Sequence, residues 1–240
     1  MPWFHAVAER DHEIQNPTSP DKIRLLGERL RLQPQSEVLD VAAGKCGPAV
    51  ILAREFGCRI TAIERAPEFV AAARERVAAA DVGDRIEIVE ADAAAVELAY
   101  GRYNVAMCLG ASFIWDGLAG TLAALTPAAR DGGAVVVGEP YWRRLPLPQA
   151  VADGGYVSLA ETVDRIATAG LTVEALVASS EDDWDRYETL HWSALEDWLA
   201  ANAHDPDAAR LRQLHERYRD EYLSWGRELL GWAIFVGRKR

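Results

Sequence analysis

Three cysteines in 240 residues are too few for a disulfide framework. Cys46, Cys58 and Cys108 lie in apolar stretches and read as reduced, buried thiols. Cys46 also sits near a helix start, where a thiol can become reactive, although a small residue filling a glycine position is the simpler reading. No apolar run reaches the roughly 18–20 residues that a membrane span needs. The opening MPWFHAVAERDHEIQNP carries charges and histidine where a secretory signal needs an apolar stretch. The expectation is a soluble, cytoplasmic protein with no membrane partner. Clustered basic residues are scarce. Arg143-Arg144 and Arg238-Lys239-Arg240 stand within a net charge of −11, which argues against a nucleic-acid partner. No His, Cys and Asp residues recur at metal-ligand spacing, so no metal is expected. Repeats and low-complexity segments are also missing.

What is present is apolar sequence, half of all residues, enough for a substantial core in one domain spanning 1–240. Residues 1–20 are polar and end in Asn16-Pro17-Thr18-Ser19-Pro20, a strong break. Helical spacing of Ile23, Leu26 and Leu30 predicts a helix over 21–32. Short apolar runs bounded by turn signals then predict strands at 37–41, 59–64, 86–90, 103–109 and 134–138. Helices are predicted between them at 48–56, 67–80 and 121–129, the first two opening on Pro48 and Pro67. Such alternation points to a doubly wound parallel sheet, an α/β fold of three αβα layers. A helix at 159–169 leads to a sixth strand at 171–178. Residues 181–230 read as a helical insertion, with Glu181-Asp182-Asp183 as a solvated loop, before a seventh strand at 231–237.

In such a sheet, ligands bind beyond the carboxyl ends of the strands. After the first strand comes Asp40-Val41-Ala42-Ala43-Gly44-Lys45-Cys46-Gly47, small residues that let a ligand approach the backbone. Lys45 reads as solvated. After the second comes Glu64 with Arg65, an acid placed to accept hydrogen bonds from ribose hydroxyls; capping the next helix is its simpler role. After the third comes Asp92-Ala93, a carboxylate for an adenine amino group or a local cap. Asp40 decides between cofactors. A carboxylate there repels a pyrophosphate and attracts an ammonium and a sulfonium.

On these residues the chain resembles the class I S-adenosylmethionine-dependent methyltransferases over residues 21–240. The family's acid-x-Gly-x-Gly-x-Gly motif aligns with Asp40, Ala42, Gly44 and Cys46, two glycines being replaced. Glu64 matches the ribose acid and Asp92-Ala93 the adenine station. Cys108-Leu109-Gly110-Ala111 matches the segment beneath the methionine part, which brings in Leu109 and Gly110. The resemblance implies S-adenosylmethionine as cofactor, S-adenosylhomocysteine as product and an antiparallel seventh strand. It also implies that residues 1–20 serve as a lid.

The acceptor side is less defined. Ser112, Trp115, Glu139, Tyr141 and Trp142 follow the fourth and fifth strands and are candidates for an apolar pocket with one carboxylate. Solvation of Glu139 and simple coverage of the sheet end by Trp142 are the plainer alternatives. His12 and His191 are candidate general bases beside Glu139, since histidine titrates near neutrality. Trp192 is a candidate substrate contact, although Trp192, Leu195, Trp198 and Leu199 also make a helical apolar face that packing would explain. The expectation is methyl transfer to a small molecule by a monomer or homodimer. A non-catalytic module that binds the cofactor, and an NAD-dependent oxidoreductase, are the alternatives.

Overall fold

The computed structural model describes residues 2–149, 151 and 154–240. Seven strands form one sheet in the order β3-β2-β1-β4-β5-β7-β6. They are β1 (Glu37–Val41), β2 (Arg59–Glu64), β3 (Ile86–Glu90), β4 (Tyr103–Leu109), β5 (Ala129–Trp142), β6 (Leu171–Ala178) and β7 (Leu230–Lys239). β1 to β5 pair in parallel, and β7 runs antiparallel to both β5 and β6. β5 and β7 outrun their apolar segments because they pair with each other from Ala134↔Arg238 to Trp142↔Leu230. Cross-strand hydrogen bonding carries them past the point where side-chain pattern alone would stop them.

Alternation along the strands divides the interior into two cores. Val38, Val105, Met107, Val136, Ile234 and Val236 face α2 (Pro20–Leu30), α3 (Gly47–Phe56) and α4 (Pro67–Ala79). Leu39, Val41, Ala106, Cys108, Val135, Val137 and Phe235 face α5 (Leu118–Ala128) and α6 (Leu159–Thr168). Burying each large aliphatic or aromatic side chain stabilises the fold by about 1.5–3 kcal/mol. Asp40 shares its side of the sheet with Val38, so the pleat turns a carboxylate inward toward the helix α3 layer.

The insertion forms α7 (Glu181–Ala201) and α8 (Ala208–Glu221), followed by a π-helical turn at Tyr222–Gly226. The run Glu181-Asp182-Asp183 is the first turn of α7 rather than a solvated loop. Ser180 and Asp183 form a reciprocal cap, and buried Asp183 pairs with Lys22. A short helix, α1 (Pro2–Ala8), was not expected from the sequence. So short a helix is marginal alone and depends on packing. Phe4, Val7 and Ala8 supply it against Leu195, Leu199 and Leu211 of the insertion. Among the described residues, no helix is long and apolar enough to cross a membrane.

Candidate cofactor and acceptor site

Strand order reverses between β1 and β4, and a cleft of about 790 Å³ opens beyond their carboxyl ends. Every station expected for the cofactor lines it: Asp40, Ala42, Ala43, Gly44, Glu64, Arg65, Asp92, Ala93, Leu109 and Gly110. A second depression of about 900 Å³ lies at the opposite end of the sheet, among Arg29, Gln33, Asn104, Arg130 and Arg238. It is outside the strand ends where a parallel sheet gathers its functional loops.

The loop after β1 turns through three left-handed residues, Ala42 (φ 55°), Gly44 (φ 55°) and Cys46 (φ 58°). These are the positions of the family's three glycines. The two replacements therefore cost backbone strain, about 1–2 kcal/mol for each left-handed non-glycine residue. Glu64 holds the turn from β2. Its Oε2 accepts from Gly44 N–H at 2.9 Å, and Oε1 accepts from the Arg65 and Ala66 N–H groups at 2.8 Å each. Ala66 caps the next helix and Glu64 supports it, so capping and cofactor contact are compatible roles. Asp92 Oδ1 accepts from Ala94 N–H at 3.0 Å, while Arg65 bridges to Asp92 Oδ2 at 3.4 Å across the cleft rim.

Asp40 is 2% exposed, and its Oδ2 has no hydrogen-bond partner. Burial, with the charge of Glu64 as a lesser cause, pushes its carboxyl up to about 8. An unpartnered inward carboxylate at a cleft wall suits a cation. Cys46 is fully buried and burial pushes its thiol up to about 12, so it is not a reactive thiol.

Residues 9–18 form a strap across the loop. Gln15 Oε1 accepts from Lys45 N–H at 2.7 Å. Lys45 is buried, not solvated, and its ammonium donates to the carbonyls of Glu9 and Arg10. A Cβ on Gly44 would lie 2.0 Å from Gln15 Oε1. Gly44→Ala combines that clash with a left-handed backbone. The expected result is a loss of roughly 1–3 kcal/mol, read as a melting temperature lower by about 2–10 °C. The far side of the strap is tied to α7. Tyr187 OH donates to Glu9 Oε1 at 3.0 Å, His191 Nε2 lies 3.0 Å from the same oxygen, and His12 Nε2 lies 2.9 Å from the Tyr187 carbonyl. Burial pulls the His12 pKa down. Burial alone would raise the Glu9 pKa, but the His191 and Tyr187 hydrogen bonds and the neighbouring imidazoles hold it below the usual range.

The two histidines expected from sequence thus meet, with ring centres 4.3 Å apart, although neither lines the cleft. Glu9, Gln15, Asn16 and Tyr187 do line it and carried no signal in the sequence. Asn16 Nδ2 donates to the Leu109 carbonyl at 3.2 Å, and its Oδ1 is buried without a partner.

On the acceptor side, Ser112 Oγ donates to Glu139 Oε2 at 3.2 Å, while Glu139 Oε1 is buried without a partner. Burial pushes the Glu139 carboxyl up to about 7, against the lowering effect of Ser112. Glu139 is therefore not a solvated group. Ala111, Phe113 and Ile114 beside Ser112 line the cleft, with Phe113 71% exposed at its mouth. Trp115 closes the 3₁₀ turn Ser112–Trp115 and packs on the α5 side. Tyr141 is buried against Gly231, and Trp142, 2% exposed, packs with Val151, Leu229 and Trp225. Neither lines the cleft. Trp192 packs edge-on to Tyr222, 6.0 Å between centres, in a cluster with Trp184 and Trp232.

Known proteins share this fold. A family described as a methyltransferase domain matches residues 38–133. The uncharacterized protein YjhP of Escherichia coli K12 is 31% identical, over 98% of both chains. A SAM-dependent methyltransferase from Thiobacillus denitrificans, solved with S-adenosyl-L-homocysteine, superposes with a TM-score of 0.94 at 33% identity, covering 100% of this chain and 99% of the other. One from Geobacter sulfurreducens, also with S-adenosyl-L-homocysteine, gives 0.94 at 34% identity with the same coverage.

Proposed function

Because the chain belongs to the S-adenosylmethionine-dependent methyltransferases, we propose that its methyl acceptor is a small molecule entering between the turn at Ser112 and the wall made by the strap and α7. The observation that carries this reading is Glu139, a half-buried carboxyl with one buried, unpartnered oxygen; it sits behind the cleft wall, hydrogen-bonded to Ser112 between the lining residues Ala111 and Phe113.

The residues present fit the cofactor. The unpartnered Oδ2 of Asp40 offers a charge to a cation, and the narrow turn at Gly44 leaves backbone at the cleft surface. Asp40, Gly44, Glu64, Asp92 and Leu109 would hold it. When bound, S-adenosylmethionine supplies a methyl group on a good leaving group, so this chain's remaining tasks are alignment and exclusion of water. The strap excludes water by closing from Gln15 on the loop to Glu9 on Tyr187. Glu139 takes the proton of an acceptor whose pKa is too high for it to ionise on its own, as its methyl bond forms; His12 and His191, turned toward Glu9, are left to the strap.

The test is calorimetric titration with S-adenosylmethionine, S-adenosylhomocysteine and NAD, then transfer of labelled methyl to panels of small molecules and of tRNA. Binding of the first two with label in small molecules is expected. Label appearing in tRNA alone overturns the acceptor class, and binding without transfer to any acceptor favours a non-catalytic module.

A further inference from the structure

Between the strap and α7 lies a cluster outside the residues proposed to hold the cofactor. Among the described residues, Glu9, His12 and His191 each bring one metal-capable atom within 4.8 Å of the others. His191 Nε2 lies 3.0 Å from Glu9 Oε1, and His12 Nδ1 lies 3.4 Å from Glu9 Oε2.

Proton positions give the cluster its meaning. His12 Nε2 sits 2.9 Å from the Tyr187 carbonyl. That oxygen only accepts, so in the neutral ring Nε2 carries the proton and Nδ1 a lone pair. This lone pair faces Glu9 Oε2. Both atoms are buried and neither has a hydrogen-bond partner. Two acceptors facing each other out of water are unfavourable unless a positive centre lies between them. An imidazole that ligates a metal characteristically donates its other N–H to a carboxylate or backbone carbonyl, as His12 does to Tyr187. The nearest ammonium, on Lys45, is occupied by the carbonyls of Glu9 and Arg10.

We propose that Glu9, His12 and His191 form a divalent transition-metal site that fastens the strap to α7 at the cleft wall. Two imidazole nitrogens and one carboxylate oxygen are a donor set for zinc and its first-row neighbours, with a fourth position left open. Ligation by His191 through Nε2 requires that its ring proton sit on Nδ1. The site stands on ligand geometry and does not depend on which acceptor is methylated.

The experiment is titration of chelator-stripped, full-length protein with Zn²⁺ against a chromophoric competitor, and with Co²⁺ by visible absorption. One equivalent of either metal is expected, Co²⁺ giving the strong bands of a four-coordinate site. His12 is buried, so the partly exposed His191 and Glu9 carry the variant test. His191→Ala and Glu9→Gln, each shown folded by circular dichroism, should weaken binding by about 100-fold or more. His204→Ala, on an exposed turn, should change nothing. The site is refuted if the folded wild type takes up no stoichiometric Zn²⁺ or Co²⁺, or if both ligand variants bind as wild type does.

Discussion

Asp40→Asn should make the cofactor-free protein more stable above neutral pH while weakening its hold on S-adenosylmethionine. The carboxyl stands near 8 in the fold because burial disfavours its charge, against an ordinary unfolded value of about 3.9. Between those values the folded state binds the proton and the unfolded state does not. Stability therefore falls as pH rises from about 4 to 8, by up to about 1.4 kcal/mol per pH unit. Asn keeps the shape and cannot ionise. Its amide still finds no partner for at least one group, which returns roughly 1–3 kcal/mol of the gain. The expected net result is a melting temperature lower by a few degrees at pH 4, where only the amide's cost is felt, and higher by roughly 5–15 °C at pH 8. Affinity should move the other way. A carboxylate about 4 Å from a cation at a protein surface contributes up to about 4 kcal/mol, so a loss near 100-fold is expected. Wild-type affinity should rise from pH 6 to 8 with about one proton released per cofactor bound, measured by calorimetry in buffers of different ionisation enthalpy. The Asn variant should show neither the rise nor the release. A wild type that binds cofactor equally at pH 6 and 8 would remove Asp40 from the site.

That opposition between stability and binding explains what the sequence could and could not announce. Asp40, Glu64 and Asp92 were legible because a parallel sheet puts its functional groups at the ends of strands, and strand ends follow from local apolar runs. Ala42 and Cys46 read in the sequence only as small residues at glycine positions. In the fold they are left-handed residues, and the motif's glycines mark backbone conformation rather than space. The strap was not legible. Glu9 meets Tyr187 and His191 from 178 and 182 residues away, and no period or spacing encodes such a contact. His12 and His191 were noticed only one at a time. Ligand spacing along the chain cannot reveal a pair that only the packing of the strap on α7 brings together. Tyr141 and Trp142 misdirected the acceptor reading for a related reason. Position after a strand says that a side chain is near the sheet end, but the pairing of β5 with β7 and the packing of Trp225 decide which way it turns.

Glu139→Gln should lower kcat by about 100-fold and leave cofactor affinity within about twofold, if this carboxylate takes the acceptor's proton. Burial has placed its pKa near 7, where a base is both largely available and strong enough to act. The active form is the carboxylate. Wild-type turnover should therefore climb with pH, pass half-maximum near 7 and level above it, and the Gln variant should have lost that limb. Ser112 separates this role from a structural one. Its hydroxyl donates to Oε2 and so favours the charged form. Ser112→Ala removes the donor without altering the backbone, so the half-maximum should move upward from 7 while turnover at high pH approaches that of wild type. A carboxylate that merely packs behind the turn would shift neither midpoint, and stopped-time assays of both variants from pH 5.5 to 9 distinguish the two. Equal turnover and equal pH profiles in all three proteins would mean that the acceptor arrives already able to react, with Glu139 a half-buried polar group behind the Ser112 turn.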